Sequence, residues 1–117
     1  MNLMKFYANT LANNGATISL NTLNPGMGFF VSIKGHEMKR SIKNFTLDVL
    51  KNYIELHTDQ LALEENFLGS WIEDGEVYLD ISRHTFDERS AMILGRLNKQ
   101  KAIYSIHGKK SIKVEKL

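Results

Sequence analysis

Two hydrophobic periods divide the chain. Residues 16–20, ATISL, are rich in β-branched side chains and alternate apolar with polar, and FFVSIKGHEMK, residues 29–39, begins as a strand with Phe30, Val31 and Ile33. Between them NTLNPGMG holds the single proline, and Asn24-Pro25-Gly26 is turn chemistry, because proline presets φ and glycine supplies positive φ. The pattern predicts a long-looped hairpin. The opening MKFYANTLA, residues 4–12, is expected to add a further strand. From Thr46 the period lengthens. Leu47, Leu50, Ile54 and Leu61 recur at helical spacing, with Val49, Tyr53 and Leu56 widening the stripe. Thr46 is the expected N-cap, and Asp48 complements the helix dipole near its start. This helix is expected to end between His57 and Gln60, after which EENFLG returns the chain to a strand.

The strongest local signal is FLGSWIEDGEVYLDIS, residues 67–82. Asp74-Gly75 suits a two-residue hairpin turn whose central positions both need positive φ. That turn fixes a register: Glu73 opposite Glu76, Ile72 opposite Val77, Trp71 opposite Tyr78, Ser70 opposite Leu79, Gly69 opposite Asp80 and Leu68 opposite Ile81. One face then carries Leu68, Ile72, Val77, Leu79 and Ile81, a core face. The other carries Trp71, Tyr78, Asp80 and Ser82. Next, TFDE, Thr85 to Glu88, has the form of a capping box opening a second helix, with Phe86, Ile93 and Leu97 on one side and Ala91 and Leu94 beside them. Gly95 inside that helix costs about 1 kcal/mol relative to alanine and marks a close packing contact. KAIYSI reads as a strand, His107-Gly108 as a turn, and KSIKVEKL as a last strand. The expected fold is one α+β domain over residues 1–117, an antiparallel sheet of about five to six strands built from β-hairpins and packed by two helices, in the order βββ-α-ββ-α-β(β).

Composition narrows the function classes. Hydrophobic residues at 43% and charged residues at 24% are globular values, and with no cysteine there is neither disulfide nor thiol chemistry nor thiolate zinc. The longest apolar run is about four residues, far short of the ~20 that span a bilayer, and the start lacks the pattern of a signal peptide. A cytoplasmic setting without membrane association is expected. Net charge is +2, but unevenly spread. Residues 46–90 hold eleven acids against three bases, and residues 91–117 seven bases against Glu115 alone. Such blocks either form opposed faces that steer a partner or neutralise one another on folding.

Candidate chemistry is sparse. Asp80, Ser82 and His84 alternate along one strand and so project together, yet successive side chains on one face are nearly 7 Å apart, too far for a direct relay. His36 with Glu37 is a second candidate base, and His57 with Asp59 a weak pair near a helix end. HxxxH, HExxH, a calcium loop and a phosphate-cradling glycine loop are missing from the sequence, so no metal, cofactor or catalytic residue is assigned. Two binding surfaces remain. Trp71, Tyr78 and Asp80, with Glu73 and Glu76 at the hairpin end, are of the types that anchor protein interfaces, unless the N-terminal segment or a helix covers that side. Alternatively Arg96, Lys99, Lys101, Lys109, Lys110 and Lys113 supply phosphate contacts while Tyr104 stacks a base. Lysines on an edge strand also serve simply to block sheet-to-sheet aggregation.

Gly15-Ala16-Thr17, the run Gly28 to Glu37, Gly69 with Trp71, Asp74 to Ser82, and Leu94 to Tyr104 follow a pattern. It resembles small accessory proteins of bacteriophages and mobile elements, in which G-x-W, D-G-x-V-Y-L-D-[IV]-S and L-G-x-x-N-x-Q-x-A-I-[YW] succeed one another. The resemblance spans Gly15 to Tyr104 and brings no catalytic residues with it. It implies a cytoplasmic phage-type protein that modulates host machinery by binding, with anti-CRISPR or anti-restriction inhibition as one form. The host protein would be the partner, through the Trp71/Tyr78 face or the acidic segment.

Overall fold

The computed structural model describes residues 2–18 and 25–115. Among them are α1 (Leu3–Asn13), β1 (Gly15–Ile18), β2 (Phe29–Ser32), β3 (Met38–Ser41), a 3-10 turn (Ile42–Asn44), α2 (Leu47–Leu56), α3 (Thr58–Leu61), β4 (Asn66–Glu73), β5 (Glu76–Thr85), α4 (Glu88–Leu97), β6 (Ala102–Ser105) and β7 (Lys110–Lys113). The class is α+β, with one antiparallel sheet of seven strands and four α-helices among the described residues.

The expected hairpin forms in full. β4 and β5 pair from Asn66 opposite Arg83 to Glu73 opposite Glu76, and Asp74 and Gly75 take φ of 51° and 75° at the turn. Helix α2 starts where its cap requires, with the Val49 amide donating to Thr46 Oγ1 at 3.2 Å and Asp48 in the first turn.

Elsewhere the chain departs from expectation. Residues 4–12 lie in helix α1, not in a strand. The Asn2 side chain accepts from the Lys5 amide, Phe6 and Thr10 fall four apart on the buried side, and Asn14 closes the helix at φ 59°. The expected hairpin of β1 with β2 does not form: β1 pairs β4, whereas β2 pairs β5 and β6. Its Asn-Pro-Gly turn begins within residues 19–24, outside the described residues. The Thr85 capping box is also replaced. Thr85 ends β5, and Asp87 caps α4 by accepting from the Ser90 amide at 3.0 Å.

The strand order is β1-β4-β5-β2-β6-β7, with β3 also on β5. Long β5 therefore has β4 on one side, and on the other β3 along residues 76–79 and β2 along residues 82–85. Directly opposed residues share a face. One face presents Leu68, Val77, Leu79 and Ile81, which pack with Phe6, Phe45, Leu50, Tyr53 and Leu61 from the chain around α1, α2 and α3. Val31 and Ile103, on the same face, pack with Ala91 of α4 and with Val114. Burying each large apolar side chain contributes about 1.5–3 kcal/mol. All four helices thus lie on one face, and none of the described helices covers the other.

Candidate functional site

The helix-free face is defined by alternation. Gly69 opposite Asp80, Trp71 opposite Tyr78 and Glu73 opposite Glu76 lie on it in β4 and β5, and Phe67 opposite Ser82 extends it. β1 adds Gly15 and Thr17 opposite Trp71 and Gly69, and β2 adds Phe30 and Ser32. Phe30 in turn opposes Tyr104 of β6, which opposes Ser111 of β7. All five residues expected to bind protein, Trp71, Tyr78, Asp80, Glu73 and Glu76, therefore share one face.

A groove of about 580 Å³ lies across this face. Asp80, Ser32 and Gly69 line it, as do the aromatic side chains of Trp71, Phe30 and Tyr104. Trp71 stacks on Tyr78 with ring centroids 5.0 Å apart and planes 3° from parallel, while Phe30 meets Phe67 edge-on at 5.0 Å. Tyr104 is 41% exposed, so its ring is open to a ligand.

Asp80 is the unusual group. It is only 4% exposed, and Ser32 Oγ donates to its Oδ2 at 2.5 Å. Burial pushes its carboxyl up to about 6, the Ser32 bond opposes that rise, and the negative charge of Glu37 adds to it. The absence of a side chain at Gly69 makes room for it: a Cβ there would come within 2.4 Å of Asp80 Oδ1. A nearly buried carboxyl thus lines the same groove as three aromatic residues.

At the hairpin end Glu76 pairs with Lys39 at 3.6 Å, and Glu73 is exposed. The Lys39–Glu76 pair is partly exposed on both sides, where such a pair contributes under about 1 kcal/mol.

The basic set is scattered by comparison. Tyr104 reaches the groove, and Lys113, opposite Ala102, shares its face. Lys110, opposite Ser105, belongs to the other face. Lys99 and Lys109 sit in turns at φ 54° and 52°, and Lys101 is exposed just before β6. Arg96 lies on α4 and donates from Nε to the Glu115 carbonyl at 2.7 Å.

Asp80, Ser82 and His84 do share a face, but Asp80 and His84 are separately engaged. His84 Nε2 meets the Met27 carbonyl at 2.8 Å, and Asp80 holds Ser32. His36 associates instead with His57, Nδ1 to Nδ1, at 3.1 Å, and the Tyr53 hydroxyl donates to the His36 carbonyl. Burial, then the adjacent His36, lowers the His57 pKa; burial, with Asp80 and Glu37, holds the Tyr53 hydroxyl protonated well above its ordinary range. Among the described residues no three of His, Cys, Asp and Glu are placed to hold a metal, and no helix is long and apolar enough to cross a membrane.

Ser32 was missed in the sequence. Its alternation with Phe30 puts both on one face, but only the pairing of β2 with β5 brings Ser32 opposite Ser82 and next to Asp80. Compared with known proteins, the chain matches no family model, no curated protein and no solved structure.

Proposed function

We propose that the protein is a non-enzymatic binding protein whose helix-free sheet face docks a partner protein, with an arginine or lysine side chain of that partner entering the groove over Asp80. The observation that carries this reading is the buried Asp80 carboxyl lined by Trp71, Phe30 and Tyr104. An isolated carboxylate in such a place is penalised by desolvation, and a cation arriving beside it relieves that penalty. Aromatic faces attract the same cation through their quadrupoles, by about 0.5–2 kcal/mol. The exposed acids Glu73 and Asp74 on the adjoining turn, with the half-buried Glu76 beside them, add long-range attraction for a basic partner. In the setting implied by the resemblance to phage accessory proteins, the partner is a host protein in the cytoplasm, a component of a defence system being one such target.

Trp71 is the single tryptophan of the chain, so its fluorescence reports on the groove alone. Titration with short peptides that differ only in one arginine, lysine or norleucine should give saturable changes with the two cationic peptides and none with norleucine. Asp80→Asn, which keeps the shape, should remove most of the response. Because the carboxylate form is needed, affinity should fall as pH drops below about 6. Equal response to norleucine, or an unaltered response in Asp80→Asn, would overturn the reading.

A second reading has one specific observation in its favour. Tyr104 is exposed beside Phe30, with Lys113 on the same face, an arrangement suited to stacking a base of a single strand near a phosphate contact. A single-stranded oligonucleotide that quenches Trp71 at low salt, loses affinity steeply with added salt and fails against Tyr104→Ala would favour it.

A further inference from the structure

His36 and His57, each read from the sequence beside an acid, come from separate parts of the chain and meet. His36 stands between β2 and β3, just after Gly35 at φ 94°, and His57 stands where α2 gives way to α3. Their Nδ1 atoms are 3.1 Å apart, with ring centroids at 5.1 Å and planes 85° apart. Two imidazole nitrogens bound to one zinc-sized ion at about 2.05 Å stand about 2.9 Å apart at a right angle and about 3.3 Å apart at a tetrahedral angle. The observed separation falls between the two. Tetrahedral ligation would set the ring centroids about 5.2 Å apart, whereas nitrogens aimed head-on at this separation would set them about 5.4 Å apart. The rings are therefore inclined to one another, as two ligands of one ion are. Tyr53, itself 2% exposed, holds both: its hydroxyl donates to the His36 carbonyl, and its ring lies 4.4 Å from the His57 ring. The His57 amide also donates to the Tyr53 carbonyl at 3.1 Å, closing the last turn of α2. Both histidines are half-buried, so solvent reaches them.

We propose that His36 and His57 form a two-histidine site for a late first-row transition-metal dication, of the class of Zn2+, Ni2+ and Cu2+, with water in the remaining positions. As a hydrogen-bonded pair, one Nδ1 carries the hydrogen and the other accepts it. On binding, that hydrogen moves to Nε2 of its own ring, so both Nδ1 lone pairs face the ion and no net proton is lost. Imidazole nitrogen suits these metals, whereas Mg2+ and Ca2+ require oxygen ligands. Glu37 and Asp59, exposed and close in the chain to the two ligands, favour a dication over a neutral ligand. Tyr53 is a positioning residue, since it fixes one ligand by its backbone and the other by its ring. A bound ion clasps the connection between β2 and β3 to the end of α2, and it stabilises the folded chain because the unfolded chain does not hold the two rings together. This inference does not depend on the groove reading.

The test uses the full chain without an affinity tag, labelled with nitrogen-15 for NMR of the imidazole rings, and zinc chloride as the probe. Such spectra distinguish Nδ1 from Nε2 in each ring. Equimolar Zn2+ is expected to shift Nδ1 of His36 and His57 together and to leave His84 and His107 unmoved. The thermal midpoint should rise by about 5–10 °C at saturating Zn2+ and stay unchanged with Mg2+. His36→Gln and His57→Gln should each lose at least about tenfold in Zn2+ affinity, whereas His107→Gln, in an exposed turn, should bind as the parent does. Tyr53→Phe keeps the ring but drops the hydroxyl on the His36 carbonyl, and should weaken binding by about tenfold while the shifts stay at Nδ1. Where a variant fails to fold, the ring spectra of the parent decide. Shifts spread evenly over the four histidines, shifts at Nε2 in place of Nδ1, or no shift at millimolar Zn2+ would overturn the proposal. So would undiminished Zn2+ affinity in a folded His57→Gln.

Discussion

On the helix-covered face of the sheet, Leu68, Leu79 and Ile81 are buried with apolar side chains of α1, α2 and α3, and the few buried polar groups there are paired within the chain, as Thr10 with Ser70 at 2.6 Å. On the opposite face Phe67, Asp80 and Ser82 are also buried, although none of the described helices lies above them. Burial there comes from neighbouring strands and from particular pairings, Phe30 on Phe67 and Ser32 on Asp80. The first kind of burial is mainly a matter of area and volume. The second depends on named partners, because a buried carboxyl must be hydrogen-bonded or neutral. The difference is between burial that area alone supplies and burial that individual pairings must supply.

Truncating Leu79 should break the first face. Leu79→Ala leaves a cavity in the core shared with Phe6, Leu50 and Tyr53 and is expected to cost about 2–5 kcal/mol in urea denaturation. Trp71→Ala, on the other face, loses a stacked pair and partial burial, about 1–2 kcal/mol. Equal losses from the two would erase the distinction between the faces.

The second comparison is in the pH dependence. The Asp80 carboxyl stands at about 6 against an ordinary 3.8, so the folded state keeps the proton that the unfolded chain has released. Its contribution to stability is therefore full below about pH 4 and is lost as pH rises through about 6, on the order of 2–3 kcal/mol in all. Asp80→Asn should flatten that slope and be at least as stable as the parent at neutral pH. A steeper slope in the variant would remove Asp80 from the account. The smallest effect is expected at the α4 seat. Gly95→Ala gains about 1 kcal/mol of helix propensity but forces a contact with Val114, for a net loss of about 1 kcal/mol. Adding Val114→Ala should recover part of the Gly95→Ala loss, which identifies the contact as the cause.

What could be read in advance follows the range of the interactions involved. Asp74-Gly75 fixes eight residue pairs of β4 and β5 because a two-residue turn leaves no freedom in register. Thr46 likewise caps α2 locally. The order of the strands was not legible, since β1, β2 and β3 find their partners across long stretches of chain and no turn specifies them. KFYANT alternates no better than it winds, and its helix rests on the cap at Asn2 and on Phe6 meeting the core. The outward face of α4 was misread because large apolar residues usually point inward. Here Ala91 and Gly95 decide the orientation through the closeness of Ile103 and Val114. In the candidate site, Trp71, Tyr78 and Asp80 were visible from alternation alone, whereas Ser32, Phe30 and Tyr104 joined them only through tertiary pairing.

The central position of β5 also orders events while the chain is being made. Among the described residues, β1 pairs only with β4, β3 only with β5, and β2 only with β5 and β6. β1, β2 and β3, which leave the ribosome before the hairpin, have no partners among themselves. They must wait until the hairpin of residues 66–85 has emerged, and then be captured by it from both sides. A nascent chain halted before Asn66 holds helices and unpaired strands but no sheet, and the sheet assembles as a late, nearly single event around the hairpin.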